Sequence, residues 1–382
     1  MALEQVREPV AVYSSYTPQL ATLGRCPWLF GQYRNKLWRH SLHALCSYPS
    51  KLRPQIAHFF IKELSRPGDM IFDPFCGSGT VPLEARLLGR AATAVDLSPL
   101  AYMLTSAKVK PPSLDVVLRR IEELGESIRE AGDPSRASVP PAVGEYFHPR
   151  TLSELLKWRT HLLKLQEPCD LFLLGCLAGI LHGGRPGFLS RFTRDLIPFR
   201  PIGDAEYRPV EPRLKAKAGR ALKDGTGPLT AEVNVYQADS RGLPFLPDET
   251  VDLIVTSPPF FATTEFVRHN WLRTWLVGWE LDEQRLAVDR FIGERAANLS
   301  RFEADLESVT SECKRLLKGG AYMVVHGSRA DNLDLVNLMM SVGQRCGLTV
   351  EAEFDEAVDH TIRNKVRKIS GETHRFLVLR KA

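Results

Sequence analysis

The run Met70-Ile-Phe72 passes without a spacer into Asp73-Pro-Phe-Cys-Gly-Ser-Gly-Thr80, and this junction constrains the fold more than any other stretch. A short apolar run ending on an acid and a glycine-rich turn reads as a buried strand that opens onto a loop. Gly77 and Gly79 let the backbone pass close beneath a ligand. No Gly-Lys-Ser/Thr follows, so the turn is not a phosphate loop. A helix is expected from 80 to 88, ended by Gly89. Ala91 to Val95 reads as a second strand, closed by Asp96-Leu-Ser-Pro99, and a further helix reaches Lys108. Strand, glycine loop, helix and strand make a βαβ unit, the building block of a parallel sheet.

The α/β pattern is interrupted and then resumes. Residues 1–50 are irregular, with scattered aromatic and basic residues, and Pro54 opens a helix over 54–64. Helices are expected over 113–131, 149–165 and 170–182. Val233 to Asp239 and Val251 to Thr256 read as strands three and four, and 321–326 as a fifth strand between helices over 299–317 and 331–346. Leu348 to Phe354 and Arg375 to Leu379 complete the set. The expected architecture is an α/β, seven-stranded, mostly parallel sheet with a helical insertion. The division is an N-terminal segment 1–50, a main domain of 51–110 and 230–382, and a helical, basic insertion at 111–229.

Composition narrows the class. The 382 residues are 44% hydrophobic with a net charge of +5, a mild excess compatible with a polyanionic partner. The seven cysteines include no Cys-x-x-Cys pair, which excludes zinc-ribbon spacing and points to reduced thiols in a cytoplasm. No run of about 18 apolar residues occurs, so no membrane span is expected. Leu171 to Leu181 is interrupted by Gly175 and Gly179.

Three acids each close a consecutive strand. Asp73 can accept hydrogen bonds from a cationic amine, Asp96 from the two hydroxyls of a ribose, and Asp239 from an adenine amino group. Together they describe a nucleoside-shaped site without a phosphate cradle. The sharpest signal is Thr256-Ser-Pro-Pro-Phe260. Two prolines cannot continue a ladder, so the strand stops there with rigid, extended backbone. Ser257 and the Pro258 carbonyl can accept both N–H bonds of a target amine. Pro259 fixes the loop, and Phe260 can stack on a base taken out of its helix.

These segments, in this order, resemble the amino-methyltransferases of DNA, in particular the cytosine-N4 group. Asp73 to Thr80 is similar to that family's cofactor loop, Asp96-Leu-Ser-Pro99 to its ribose segment, and Ser257-Pro-Pro-Phe260 to its catalytic motif, where Tyr is commoner than Phe at the last place. His43-x4-Tyr48-Pro-Ser-Lys51-x2-Pro54 resembles the family's stretch beside the methionine end of the cofactor. Arg268-His-Asn-x-Leu-Arg-x-Trp-Leu-x-Gly278 and Gly371-Glu372 also resemble it. The likeness covers roughly 40–110 and 230–380. It implies a Rossmann-like fold binding S-adenosyl-L-methionine through Asp73, Pro74, Phe75, Gly77, Gly79, Thr80, Asp96, Leu97, Asp239 and Ser240, and direct in-line methyl transfer without metal. The implied partner is double-stranded DNA, with a cognate restriction nuclease as a further partner and the oligomeric state open.

The insertion carries the charge. Between 183 and 228 stand ten Lys or Arg against five acids, an excess equal to that of the whole chain. Arg185, Arg191 and Arg194, with Arg268, are the candidates for phosphate contact; a solvated loop would show the same composition. Methylation of an RNA base (cytidine N4 or guanosine N2) or of adenine N6 in DNA are the nearest alternatives, and a catalytically silent nucleic-acid-binding protein is the alternative of another class. Ser before Pro-Pro favours cytosine. His40 and His43 lack an acid nearby in sequence and are not read as metal ligands. Cys76 reads as a small packed residue, and Trp271 and Trp275, four apart, as core.

Overall fold

The computed structural model describes residues 26–29, 33, 39–132, 134, 139–165, 167–183, 187–193, 200–225, 230–261, 265–293, 298–330, 333–356 and 373–382. Its strands are β1 (Met70–Asp73), β2 (Ala91–Asp96), β3 (Val233–Gln237), β4 (Val251–Thr256), β5 (Leu317–Ala330), β6 (Leu333–Asp334), β7 (Leu348–Glu356) and β8 (Thr373–Lys381). They form one sheet in the order β3-β2-β1-β4-β5-β8-β7, with β6 pairing β5 off this path. The ladders linking β3, β2, β1, β4 and β5 are parallel, and β8 runs antiparallel to both β5 and β7. This is the expected Rossmann-like methyltransferase architecture of seven mostly parallel strands, with a two-residue strand added. The chain reverses its direction of travel across the sheet between β1 and β4, so a crevice opens there at the carboxyl ends of the strands.

Alternation along the central strands builds two cores. Ile71, Leu253, Val255 and Val324 face the helices α1 (Pro54–Leu64) and α2 (Thr80–Leu87). Phe72, Ile254, Met323 and Val325 face α11 (Leu299–Leu316) and α12 (Leu335–Arg345). A strand buried on both faces is apolar throughout, which is why these segments are legible as runs.

A third layer lies outside α3 (Pro99–Val109). It holds α4 (Leu114–Glu130), α5 (Pro141–Gly144), α6 (Pro149–Leu165), α7 (Pro168–Ile180), α8 (Val210–Ala221) and α9 (Phe266–Leu276), followed by α10 (Leu281–Ala287). Leu100, Met103, Leu104 and Ala107 of α3 share one buried cluster with residues of α4, α6, α7 and α8, and with Leu272, Trp275 and Leu276 of α9. The helices of the insertion therefore have no core separate from the sheet domain. No described helix is long and apolar enough to cross a membrane.

The structure corrects several boundaries. Strand β3 stops at Gln237, so Asp239 lies two residues past its end. The helix expected at 331–346 starts at Leu335, because Leu333 and Asp334 pair with Ala330 and Arg329. Within the arginine-rich run stands α8, a helix that the composition of this stretch does not announce. Val210, Leu214, Ala218 and Ala221 line its buried face, and its basic side chains project elsewhere. Two charges of the run are used internally: Lys217 of α8 donates to the Ala44 carbonyl at 2.8 Å, and Arg208, just ahead of the helix, donates to the carbonyls of Phe188 and Ser190.

Helix α7 approaches the short 3-10 turn Ser41–Ala44 so closely that only glycine fits at 179. A Cβ there would strike the Leu45 carbonyl oxygen, a backbone atom that cannot swing aside. Gly179→Ala is expected to destabilise the protein by about 3 kcal/mol, read as a lowered urea midpoint. An unchanged midpoint would contradict the packing of α7 on this turn.

Candidate active site

The site is assembled where β1, β2 and β4 end. Past Asp73 the chain turns through 74–79 and enters α2. The turn is held by backbone bonds from Cys76 N–H to Val95 O at 3.0 Å and from Gly79 N–H to Cys76 O at 2.7 Å. Gly77 and Gly79 both have positive φ, +48° and +73°. A side chain at 77 would press on the Tyr48 ring, and a Cβ at 79 would lie 2.7 Å from Thr105 Oγ1. The turn thus needs glycine for backbone conformation and for space.

Two carboxylates sit at the base of the cleft. Asp96 accepts from Gly77 N–H at 2.8 Å and Ser98 N–H at 2.9 Å. Burial pushes its pKa up to about 6, against the opposing pull of these backbone bonds. Asp73 is 4% exposed. Its Oδ1 accepts from Phe75 N–H at 3.1 Å and from the Thr256 hydroxyl at 2.9 Å. Burial raises its pKa from 3.8 to about 7 despite both bonds, and the Asp96 charge adds to the rise. Among the described residues no cation contributes to either shift.

The Thr256 bond has a geometric consequence. It ties the end of β1 to the residue immediately before Ser257. One cleft, enclosing about 1170 Å³ of space partly open to solvent, is accordingly lined from one side by Asp73, Pro74, Phe75, Gly77 and Thr80, and from the other by Ser257, Pro258, Pro259 and Phe260. Asp96, Leu97, Asp239 and Ser240 line it as well. Gly79 stands behind the lining, packed on Thr105. Ser240 Oγ donates to the Pro74 carbonyl at 2.6 Å, which anchors the 239–240 segment to the loop.

Asp239 differs from its simplest reading. Its Oδ1 accepts from the Arg241 backbone N–H and Nε, and its Oδ2 from Arg241 Nη2 at 2.6 Å. Burial opposes ionisation, yet this guanidinium holds the carboxyl below the usual carboxylate range. Three of its roughly four acceptor positions are filled, leaving one for a ligand donor.

The cleft also contains Phe266 and Phe291, which the sequence reading does not assign, beside Tyr48 and Asn270 from the two stretches that resemble the family. Tyr48, Phe266 and Phe291 form a continuous aromatic wall, with ring centroids 5.7 Å apart for Tyr48–Phe266 and 5.3 Å for the stacked Phe266–Phe291 pair. Asn270 reaches the cleft with its Oδ1 buried and unpaired. Ser257 Oγ lies 3.1 Å from Nδ1 of His326 on β5. Behind the cofactor-loop helix, Glu84 is gripped by His43 at 2.6 Å and His58 at 3.1 Å. Burial would raise Glu84, but the two imidazoles bring it below its ordinary range. The acid that His43 lacks nearby in sequence is supplied 41 residues away. Trp275 is buried in the core and Trp271 packs against it, as expected from their spacing.

Of the four arginines, the structure describes Arg191 and Arg268. Arg185 and Arg194 lie outside the described residues. Arg191 is not turned to a ligand: its guanidinium donates to the carbonyls of Gly203 and Glu145, closing a loop of the helical layer. Arg268 is on α9, largely exposed and paired with Glu265 at 2.6 Å.

Titration checks the buried acid. Protonated Asp73 contributes stability that is complete below its unfolded value of 3.8 and is lost as pH rises through about 7. Carboxyl carbon NMR should show Asp73 titrating near 7, and Thr256→Val, which removes a bond favouring the anion, should move it higher. A midpoint near 4 in the wild type would contradict the buried geometry.

Known proteins match parts of this chain. Residues 43–128 match the family model described as UPF0020: RMKL-like, methyltransferase domain. Type II methyltransferase M.MvaI from Kocuria varians is 34% identical over 91 residues, 23% of this chain and 20% of that protein. M.MjaII from Methanocaldococcus jannaschii is 27% identical over 96 residues, 24% of this chain and 18% of its own. M.BsoBI from Geobacillus stearothermophilus is 22% identical over 282 residues, 64% of this chain and 54% of that one. The matches thus span between about a fifth and about half of the relatives' lengths. By these matches, the chain resembles the amino-methyltransferases of DNA and is similar over 43–128 to the methyltransferase domain of the RMKL-like description.

Proposed function

We propose that this protein methylates an exocyclic amino group of a nucleic-acid base, N4 of cytosine in DNA, with S-adenosyl-L-methionine as donor. The observation that carries the reading is the Asp73–Thr256 hydrogen bond, which holds the glycine loop and the Ser-Pro-Pro-Phe turn on opposite walls of one cleft. The relatives named Type II methyltransferases support methyl transfer, the motifs' resemblance to the amino-methyltransferases of DNA supports the polymer, and Ser at the head of the motif supports cytosine.

The residues present fit the donor. Asp73 and Asp96 are desolvated carboxylates that lack a cationic partner among the described residues. An ammonium at Asp73 and ribose hydroxyls at Asp96 would supply what burial withholds. The remaining acceptor position of Asp239, with Ser240 and Leu97 nearby, suits the adenine ring; Pro74, Phe75, Gly77 and Thr80 floor the cleft. Bound there, the sulfonium supplies an electrophilic methyl group.

The chain's own part is to prepare the nucleophile. A cytosine amine is weakly nucleophilic because its lone pair is delocalised into the ring. Ser257 Oγ and the Pro258 carbonyl accept its two N–H bonds and favour a tetrahedral nitrogen with a free lone pair. Pro259 holds the turn rigid, and Phe260 stacks on the base. The aromatic wall opposite excludes water from the reacting atoms. Arg268, exposed on α9, faces outward where a phosphate backbone would run, and its pairing with Glu265 would be exchanged on binding.

Ser257→Ala, which removes one of the two acceptors, is expected to lower transfer by about 10²-fold or more while calorimetry shows unchanged cofactor affinity. Labelled donor offered with DNA and RNA, followed by nucleoside mass spectrometry, should place the methyl on N4 of deoxycytidine; label on adenine or on RNA alone overturns the target. Cofactor binding has its own signature. An ammonium needs the Asp73 anion, so affinity should rise with pH and level off above about 7, with a proton released on binding below that point. Asp96→Ala should weaken binding roughly tenfold or more, and unchanged affinity would remove the ribose assignment.

A further inference from the structure

Behind the diproline turn runs a line of hydrogen bonds that the reading above does not use. Ser257 Oγ lies 3.1 Å from Nδ1 of His326, and Nε2 of His326 lies 3.0 Å from Nδ1 of His374. The first residue lines the cleft, the second is 7% exposed on β5, and the third is partly exposed on β8. The two imidazoles lie nearly coplanar, 24° apart with centroids at 5.1 Å, and Phe376 and Phe260 pack on His326 at 5.1 and 6.3 Å. Aromatic packing on this scale fixes the ring, so that both nitrogens keep their partners.

We propose that Ser257, His326 and His374 form a relay that removes the surplus proton from the methylated amine and delivers it toward solvent. The inference rests on the amine-methylation reading. In that reaction an N–C bond forms, the S–C bond breaks with its electron pair going to sulfur, and the nitrogen is left with a proton to shed. Ser257 Oγ accepts that proton and passes its own to His326 Nδ1. As the proton arrives, His326 releases the one on Nε2 to His374 Nδ1, and His374 gives up the one on its outer nitrogen to water. Each residue ends with as many protons as it began with, differently placed, and a rotation or tautomer exchange restores them.

The surroundings of His326 favour this handling. Burial depresses its pKa to about 3, and the neighbouring His374 and Arg53 disfavour protonation further. His326 is therefore neutral before the reaction, able to accept on one nitrogen while donating from the other, and it does not retain the proton it receives. His326 and His374 act through Ser257 and are positioning residues. The relay and a purely steric support for Ser257 differ in one respect: only the relay needs two nitrogens on residue 326.

The tests follow from that difference. Nitrogen NMR of the histidine side chains, on the full chain without donor or DNA, should show His326 neutral with its proton on Nε2. A proton on Nδ1 would make it a donor to Ser257 and overturn the relay whatever the variants do. His326→Asn keeps an acceptor near the Nδ1 position and loses the second nitrogen. Its single-turnover methylation rate should fall about 10²-fold, with KM for DNA and cofactor affinity unchanged. His374→Asn should fall by a smaller factor, lose the curvature of the wild-type proton inventory in mixed H₂O and D₂O, and regain rate with added imidazole. Full single-turnover rate in His326→Asn beside an active wild type overturns the relay alone. A wild type inert on DNA and RNA instead overturns the reading beneath it.

Discussion

One hydrogen bond holds the working parts in register. Asp73 ends β1, Thr256 ends β4, and these neighbouring strands flank the point where the chain reverses its direction across the sheet. The bond spans the crevice that such a reversal opens. It is robust to the ionisation that Asp73 undergoes near neutral pH, because a hydroxyl can donate to the carboxylate or accept from the acid. Loop and diproline turn therefore keep their separation whether or not the site is charged. The energetic cost of burying Asp73 is set against the fixed separation it gives these two segments.

From that anchor the site extends by elements of quite different rigidity. The floor is sheet and glycine turn, held by backbone bonds from Val95 and Cys76. The far wall comes from α9 and the segment 290–292, packed through aromatic rings. Helix α9 is in turn set by the outer helical layer, since Trp275 and Leu272 sit in the same cluster as α6 and α7. The position of the aromatic wall is thereby linked to helices that never touch the cleft.

The legibility of this protein follows the range of the interaction concerned. Strands β1, β2 and β4 are readable because each is a short, mostly apolar run that stops at an acid or just ahead of the diproline, a purely local signal. The diproline turn and the glycine loop were readable for the same reason. Helix α8 is not: its four buried positions are diluted by Lys and Arg, so composition overrides period. Strand β5 runs to 14 residues because β8, more than 40 residues on, supplies its partner, and no local pattern reports a partner's length. The Glu84 pairing with His43 and the contact of Ser257 with His326 join residues 41 and 69 positions apart. Such contacts are written in the topology, where strand ends meet, and become visible only once the strand order is known. Asp239 shows the converse case, a residue found by position whose company, Arg241, was overlooked two places away.

The merged core of the outer layer bears on how this chain can diverge. Helix α3 is sandwiched, sheet on one side and the inserted helices on the other, so stripping residues 110–230 would leave Leu100, Leu104 and Ala107 facing water. The layer is therefore not a cassette that can be cut out or traded between relatives. New preferences would have to be drawn on its outer surface, one side chain at a time, over a foundation the catalytic sheet already owns.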